Sequence, residues 1–361
     1  MRSVRALAST ALVGLTATAL TACSLVGGGD DDERAADGST PPGGSEVVLV
    51  THESFTLPEE VLAAFEEESG YRLKVRSAGD AGSLTNRLVL TKSSPLGDVV
   101  FGVDNTFASR ALEEGVIADT DVERPAGAAT YDLEAGEGSD DLVPVDTGNV
   151  CVNIDDTWFA REGLEPPTTL DDLTDPAYRD LLVVPGATTS SPGLAFLLAT
   201  IAEEGDGWAD YWERLVGNGA KLVDGWSDAY QVDFTQGGGK GDRPIVVSYD
   251  SSPAFTLDGE GGTTTSALLD TCFRQVEYAG LLEGAENPEG GEALLEFLLG
   301  PEVQAALPES MYVFPVRDDV ELPADWARFA EQPTEAYAVD PAEIAANRDT
   351  WLREWSDVTT R

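Results

Sequence analysis

The sequence predicts an α/β protein of two lobes with a ligand cleft between them, and three observations carry that expectation. The chain has 361 residues, 42% of them hydrophobic, enough for two cores at about 150 residues per domain. Short apolar runs alternate with amphipathic stretches in two successive series, the signature of βα units built on parallel strands. The segments that follow those runs are rich in Gly, Ser and Asp, which places candidate ligand loops beyond the carboxyl ends of the strands.

Composition excludes several functions. Sixty-six acids face 22 Lys and Arg, and the net charge of -44 argues against a protein that tracks nucleic-acid phosphates or is held electrostatically on anionic lipid. A small cationic ligand suits it. One histidine, His52, and three cysteines are too few for a multi-His zinc site or a Cys-rich cluster, so no metal site is expected.

Residues 1–22 read as a signal peptide: Arg2 and Arg5 precede a short, small-residued apolar stretch ending at Ala22. Its ending, Leu20-Thr21-Ala22-Cys23, resembles the lipobox of bacterial lipoproteins, which implies that Cys23 becomes the lipidated first residue. An ordinary signal peptide with a chance cysteine is the alternative. Residues 23–45 then form a lipidated Cys and a tether of Gly, Asp, Ser and Pro spanning roughly 25 Å as a coil. Loss of the signal removes two arginines and no acid, taking the charge from -44 to -46, so the anchor rather than the surface holds the protein at the outer face of the cell membrane.

From Glu46 the pattern gives strands at Val47–Val50, Tyr71–Val75 and Asp98–Phe101. Helices follow at Thr56 onward, opened by the capping box Thr56-Leu57-Pro58-Glu59 and ended by Gly70, then at Ser83–Thr91 and Thr106–Glu114. The same grammar recurs after Asp146. Strands are expected at Leu181–Val184, Lys221–Val223 and Ile245–Ser248, with helices entered at Ser190-Ser191-Pro192 and running over Trp208–Val216. The run Gln236–Gly241 lacks P-loop spacing and reads as a surface turn. A strand at Phe273–Tyr278 and helices at Gly291–Leu299 and Pro301–Leu307 follow, then an extended Met311–Val316. The amphipathic tail Pro341–Val358 reads as a helix docked on the chain's own core.

Four phrases in this pattern resemble a family: Asp98-Val99-Val100-Phe101-Gly102-Val103-Asp104-Asn105, Thr189-Ser190-Ser191-Pro192-Gly193-Leu194, Gly225-Trp226-Ser227-Asp228-Ala229-Tyr230 and Ser248-Tyr249-Asp250-Ser251-Ser252-Pro253. They are similar to the thiamine-binding proteins that serve bacterial ABC importers, within the type II periplasmic-binding-protein fold. The resemblance covers essentially the whole mature body. It implies two lobes, 46–146 plus 276–361 and 147–275, joined by crossovers near Val145–Gly148 and Phe273–Glu277.

The resemblance implies ligand contacts from Asp80 and Ala81 on one lobe, and from Ser190, Ser191, Trp226, Tyr249, Asp250, Ser251 and Ser252 on the other. Glu53, Asp104 and Tyr312 are cleft candidates by position. The chemistry suits thiamine as transported ligand, with no cofactor: its thiazolium is a permanent cation, drawn to the faces of Trp226 and Tyr249 and to carboxylate. Each residue also has an ordinary structural role open to it: packing for Trp226, a backbone-bonded turn for Asp80, the end of a core strand for Tyr249, helix capping for Ser190 and Ser191.

His52 stands where the family has an aromatic Tyr, and Thr188 where an Arg precedes the Thr-Ser element. Loss of that Arg favours free thiamine over its pyrophosphate. The implied partners are thiamine, an ABC permease and the membrane through the lipid anchor, with a monomeric chain and no nucleic acid. A type II binder of another small cation such as polyamine is the neighbouring alternative, and an extracellular hydrolase the remote one, since His52 sits in no triad context. With Cys23 consumed by lipid, Cys151 and Cys272 are the one pair left in an oxidising compartment, and a disulfide is expected, two buried thiols being the alternative.

Overall fold

A computed structural model describes residues 45–136 and 138–360 of the chain. The expected signal peptide and Cys23, with the tether up to residue 44, lie outside the described residues. Among the described residues nine strands form one sheet: β1 (Glu46–Thr51), β2 (Arg72–Ser77), β3 (Val99–Asp104), β4 (Val143–Asp155), β5 (Leu182–Pro185), β6 (Lys221–Val223), β7 (Ile245–Tyr249), β8 (Thr265–Leu281) and β9 (Phe314–Pro315). Their order is β2-β1-β3-β8-β4-β7-β5-β6, with β9 paired to β4.

Two parallel blocks, β2-β1-β3 and β7-β5-β6, flank an antiparallel pair, β8 and β4. The blocks are the two βα series legible in the sequence. The central pair is not: β4 runs 13 residues and is buried throughout, while β8 runs 17 and extends well beyond the expected Phe273–Tyr278. The two expected crossovers lie side by side in this pair, with Asp146 opposite Glu277, Thr147 opposite Val276 and Gly148 opposite Gln275.

Ten α-helices among the described residues cover the sheet: α1 (Glu59–Ser69), α2 (Ala81–Leu90), α3 (Ala108–Glu113), α4 (Asp156–Glu162), α5 (Ser191–Glu204), α6 (Trp208–Gly217), α7 (Pro288–Leu298), α8 (Pro301–Met311), α9 (Ala324–Phe329) and α10 (Pro341–Thr359). The capping box does not form. Pro58 keeps Leu57 out of the helical region, so α1 starts at Glu59 with Pro58 as its uncapped entry, and Gly70 ends it at φ 74°.

Around β1 and β3 one apolar cluster gathers Phe65, Leu294 and Leu307 from α1, α7 and α8, and another gathers Leu84 and Ala111 from α2 and α3. Around β5 and β7 the core collects Phe196, Trp212 and Leu215 with Ile344 and Trp355 of α10. The tail helix therefore packs on the elements of 147–275, Trp355 meeting Trp212 edge to face at 5.6 Å. Its buried Arg348 reaches back to Ser109 Oγ on α3, 3.0 Å away.

Cys151 and Cys272 form a disulfide across a break in the β4–β8 ladder. Val150 pairs with Phe273 and Val152 with Leu268, so Cys151 alone faces the four-residue bulge 269–272. Both cysteines are buried.

Candidate functional site

The carboxyl ends of β1 and β7, the Glu277 position within β8 and the starts of α2 and α5 converge on a cleft with an empty volume of about 690 Å³, counting its open mouth. Asp80, Ser191, Trp226, Tyr249 and Tyr312 line it, as do His52, Thr56, Gln231, Glu277 and Met311. No Lys or Arg is among the lining residues.

The aromatic wall is built on Trp226. Its indole donates Nε1–H to Ser248 Oγ at 2.9 Å, which fixes the ring, and it stacks on Tyr230 with centroids 5.1 Å apart and planes 10° from parallel. Tyr249, the last residue of β7, lies tilted at 6.3 Å, and Tyr312 meets the indole edge at 5.6 Å. Tyr312 adopts φ 65° at the end of α8, an uncommon conformation for a residue with a side chain, and its carbonyl accepts from Ser251 Oγ.

Asp80 caps α2 and bridges to the facing loops. Its Oδ1 accepts from Ala81 N at 2.6 Å and Ser191 N at 3.4 Å, and its Oδ2 from Trp226 N at 3.0 Å. Gly225 permits that approach: a Cβ there would fall 2.9 Å from Glu53 Oε1 and 3.0 Å from Asp80 Oδ2. The main-chain N–H groups of Gly82 and Ser83 donate to the carbonyl of Thr189, closing the same rim.

The floor is acidic. Glu277 is buried, with Oε2 3.5 Å from His52 Nε2 and Oε1 accepting from Gln275 Nε2 at 3.3 Å. Beneath it Asp146 is pushed well above the usual carboxylate range by burial and by the charge of Glu277. Asp104 is pushed up to about 6 by burial, although it accepts from Ser191 Oγ, Thr106 and the Phe107 N–H. Burial also raises Glu53, with Asp80 adding repulsion.

The remaining sequence candidates lie apart from the cleft surface. Ala81 packs into the core, and Ser190 is buried with its hydroxyl unpartnered. Asp250 accepts both the side-chain amide and the N–H of Asn149, and lines a separate depression with Arg328 and Phe329. Ser252 bonds Ser248 Oγ and the Tyr249 N–H, and Ser251 is spent on Tyr312. These residues shape the loop that carries Tyr249. Sequence reading passed over Thr56, Gln231, Met311 and Glu277. Only Glu277 left a signal, an acid inside an apolar strand run.

The family model described as "Bacterial extracellular solute-binding protein" matches residues 94–341. The chain is similar to the "Thiamine-binding periplasmic protein" of Escherichia coli (strain K12), 29% identical over 83% of this chain and 88% of that one. It is 30% identical to the protein of the same name from Brucella melitensis biotype 1, over 88% and 92% of the two chains. Among solved structures, "Periplasmic thiamin binding protein" superposes with a TM-score of 0.77 at 29% identity, covering 88% of this chain and 96% of that chain. "Ferric binding protein from Campylobacter jejuni" superposes with a TM-score of 0.67 at 17% identity, covering 86% and 99%, a likeness of fold alone. The fold is thus the two-lobed type II binding-protein fold that the family resemblance implied.

Proposed function

This chain belongs to the bacterial extracellular solute-binding protein family, and from that premise we propose that its cargo is thiamine, delivered to an ABC importer. As a member of that family it is an exported binding protein for import and not an enzyme. The observation that carries the choice of ligand is the composition of the cleft: a Trp-Tyr wall over an acidic floor, with no Lys or Arg lining it. A thiazolium cation gains from the aromatic faces and the nearby carboxylate, and the polar groups of Ser191 and Gln231 suit an aminopyrimidine.

A phosphate ester would enter that floor with no Lys or Arg to meet it, so free thiamine is the preferred form. We assign 46–146 plus 276–361 to one lobe and 147–275 to the other, with the tail helix α10 of the first resting on the core of the second and the ligand favouring the state in which both touch it. The chain acts as a monomer held by lipid on Cys23 at the outer face of the membrane. Isothermal titration with thiamine and its two phosphates tests the assignment. Thiamine should bind tightest, and absence of any heat with thiamine at about millimolar concentration would overturn it.

A further inference from the structure

We propose that the cleft exchanges a proton on His52 for the cation of its ligand, with Glu277 as the carboxylate that the two compete for. This rests on the reading that a cationic solute occupies the cleft. Of the two carboxylates that line it, Asp80 is engaged by three main-chain N–H groups, those of Ala81, Ser191 and Trp226. Glu277 has one side-chain amide at 3.3 Å, the imidazole at 3.5 Å and the raised carboxyl of Asp146 behind it. It is the acid paired with a basic side chain, a partner that a cationic ligand can replace.

His52 is the one basic side chain among the lining residues, it is buried, and its Nε2 has no hydrogen-bond partner. It cannot retreat from Glu277. The ring lies 5.5 Å from Phe101 and directly on Gly102, where β3 breaks register with β8 and φ is +100°; a Cβ at Gly102 would fall 2.1 Å from the imidazole. The groups facing the ring are Glu277 from β8, Asp80 from the start of α2 and Glu53 from its own loop, with Asp146 and Asp104 behind Glu277. Burial disfavours the imidazolium, yet the charges of Glu277, Asp80 and Glu53 outweigh it and hold His52 above its usual pKa. At a pH where His52 is charged, the imidazolium is the counter-ion of Glu277 in the unliganded cleft. A permanent cation arriving at the same carboxylate repels it at short range in a poorly solvated site, so the proton leaves to solvent as the ligand enters. One positive charge replaces another.

The test is calorimetric titration with thiamine in buffers of differing ionisation enthalpy, from about pH 6 to about pH 8. The wild type should release up to about one proton per thiamine where His52 starts charged, and its affinity should rise roughly ten-fold across that range. His52→Tyr, which restores an aromatic ring without the charge, should bind with no proton release and with affinity level across the range. Glu277→Gln should also lose the proton release and weaken thiamine roughly ten-fold, with circular dichroism confirming both folds. Thiamine binding by the wild type with heats independent of buffer overturns the exchange while leaving the ligand in place. So does undiminished proton release in His52→Tyr. Absence of thiamine binding at every pH overturns the ligand reading and the exchange with it.

Discussion

The Oδ2 of Asp80 accepts the main-chain N–H of Trp226 at 3.0 Å, joining residues 146 positions apart across the mouth of the cleft. The residue at the start of α2 thereby holds the loop that carries the main aromatic wall. Its carboxylate acts as a latch between facing loops more than as a charge offered to the ligand, because the N–H groups of Ala81, Ser191 and Trp226 already occupy it.

Asp80→Asn should therefore weaken thiamine and a neutral analogue lacking the thiazolium by similar factors. Replacing one acceptor oxygen by an amide removes a charge-assisted hydrogen bond of about 1.5 to 3 kcal/mol, roughly ten-fold or more in affinity. Parallel titration of the two ligands checks it. A loss confined to the cation would give Asp80 an electrostatic role instead.

Trp226→Ala removes the ring that Tyr230, Tyr249 and Tyr312 surround. Thiamine should bind about 1 to 2 kcal/mol more weakly, near ten-fold, with the far-ultraviolet circular dichroism unchanged. Wild-type affinity in this variant would place the ligand elsewhere.

Stability should fall as pH rises from about 4 to about 7. Asp104 and Asp250 each titrate near 6 in the fold, pushed up by burial, against 3.8 for the free side chain. A raised carboxyl favours the folded state fully below the unfolded value, and that advantage disappears as pH climbs through the folded value, on the order of 3 kcal/mol for each group. Thermal melts across this range should show a decline, and Asp104→Asn should flatten it. A melting temperature that rises steadily to neutral pH contradicts this account.

The Cys151–Cys272 disulfide bridges positions 121 apart where the β4–β8 ladder is interrupted. The double Cys→Ser variant should lose about 2 to 4 kcal/mol of stability, read from denaturant midpoints in oxidising buffer. Denatured, unreduced protein without residue 23 should show no free thiol.

Lipidation at Cys23 predicts that Cys23→Ala abolishes labelling by radioactive fatty acid and leaves the chain uncleaved or released. Unchanged labelling would refute the anchor.

Local sequence determined most of the secondary structure and the loops that approach the cleft. β1, β3, β5 and β7 are short apolar runs, α6 and α7 show their period, and Gly70 ends α1, because these signals act between residues a few positions apart. Residue type also limited the ligand: the acidic balance and the Trp226 and Tyr249 loops were legible without coordinates. The tertiary structure alone decided the length of the central strands: the local pattern marked only Phe273–Tyr278 of β8 and none of β4, and the pairing of the two accounts for the rest. It decided, too, that Asp80 is a latch, that Ser251, Ser252 and Asp250 serve their own loop, and that His52 meets Glu277 from 225 positions away. Side-chain partnerships of that kind are fixed by where the sheet brings distant strands together, and no local period encodes them.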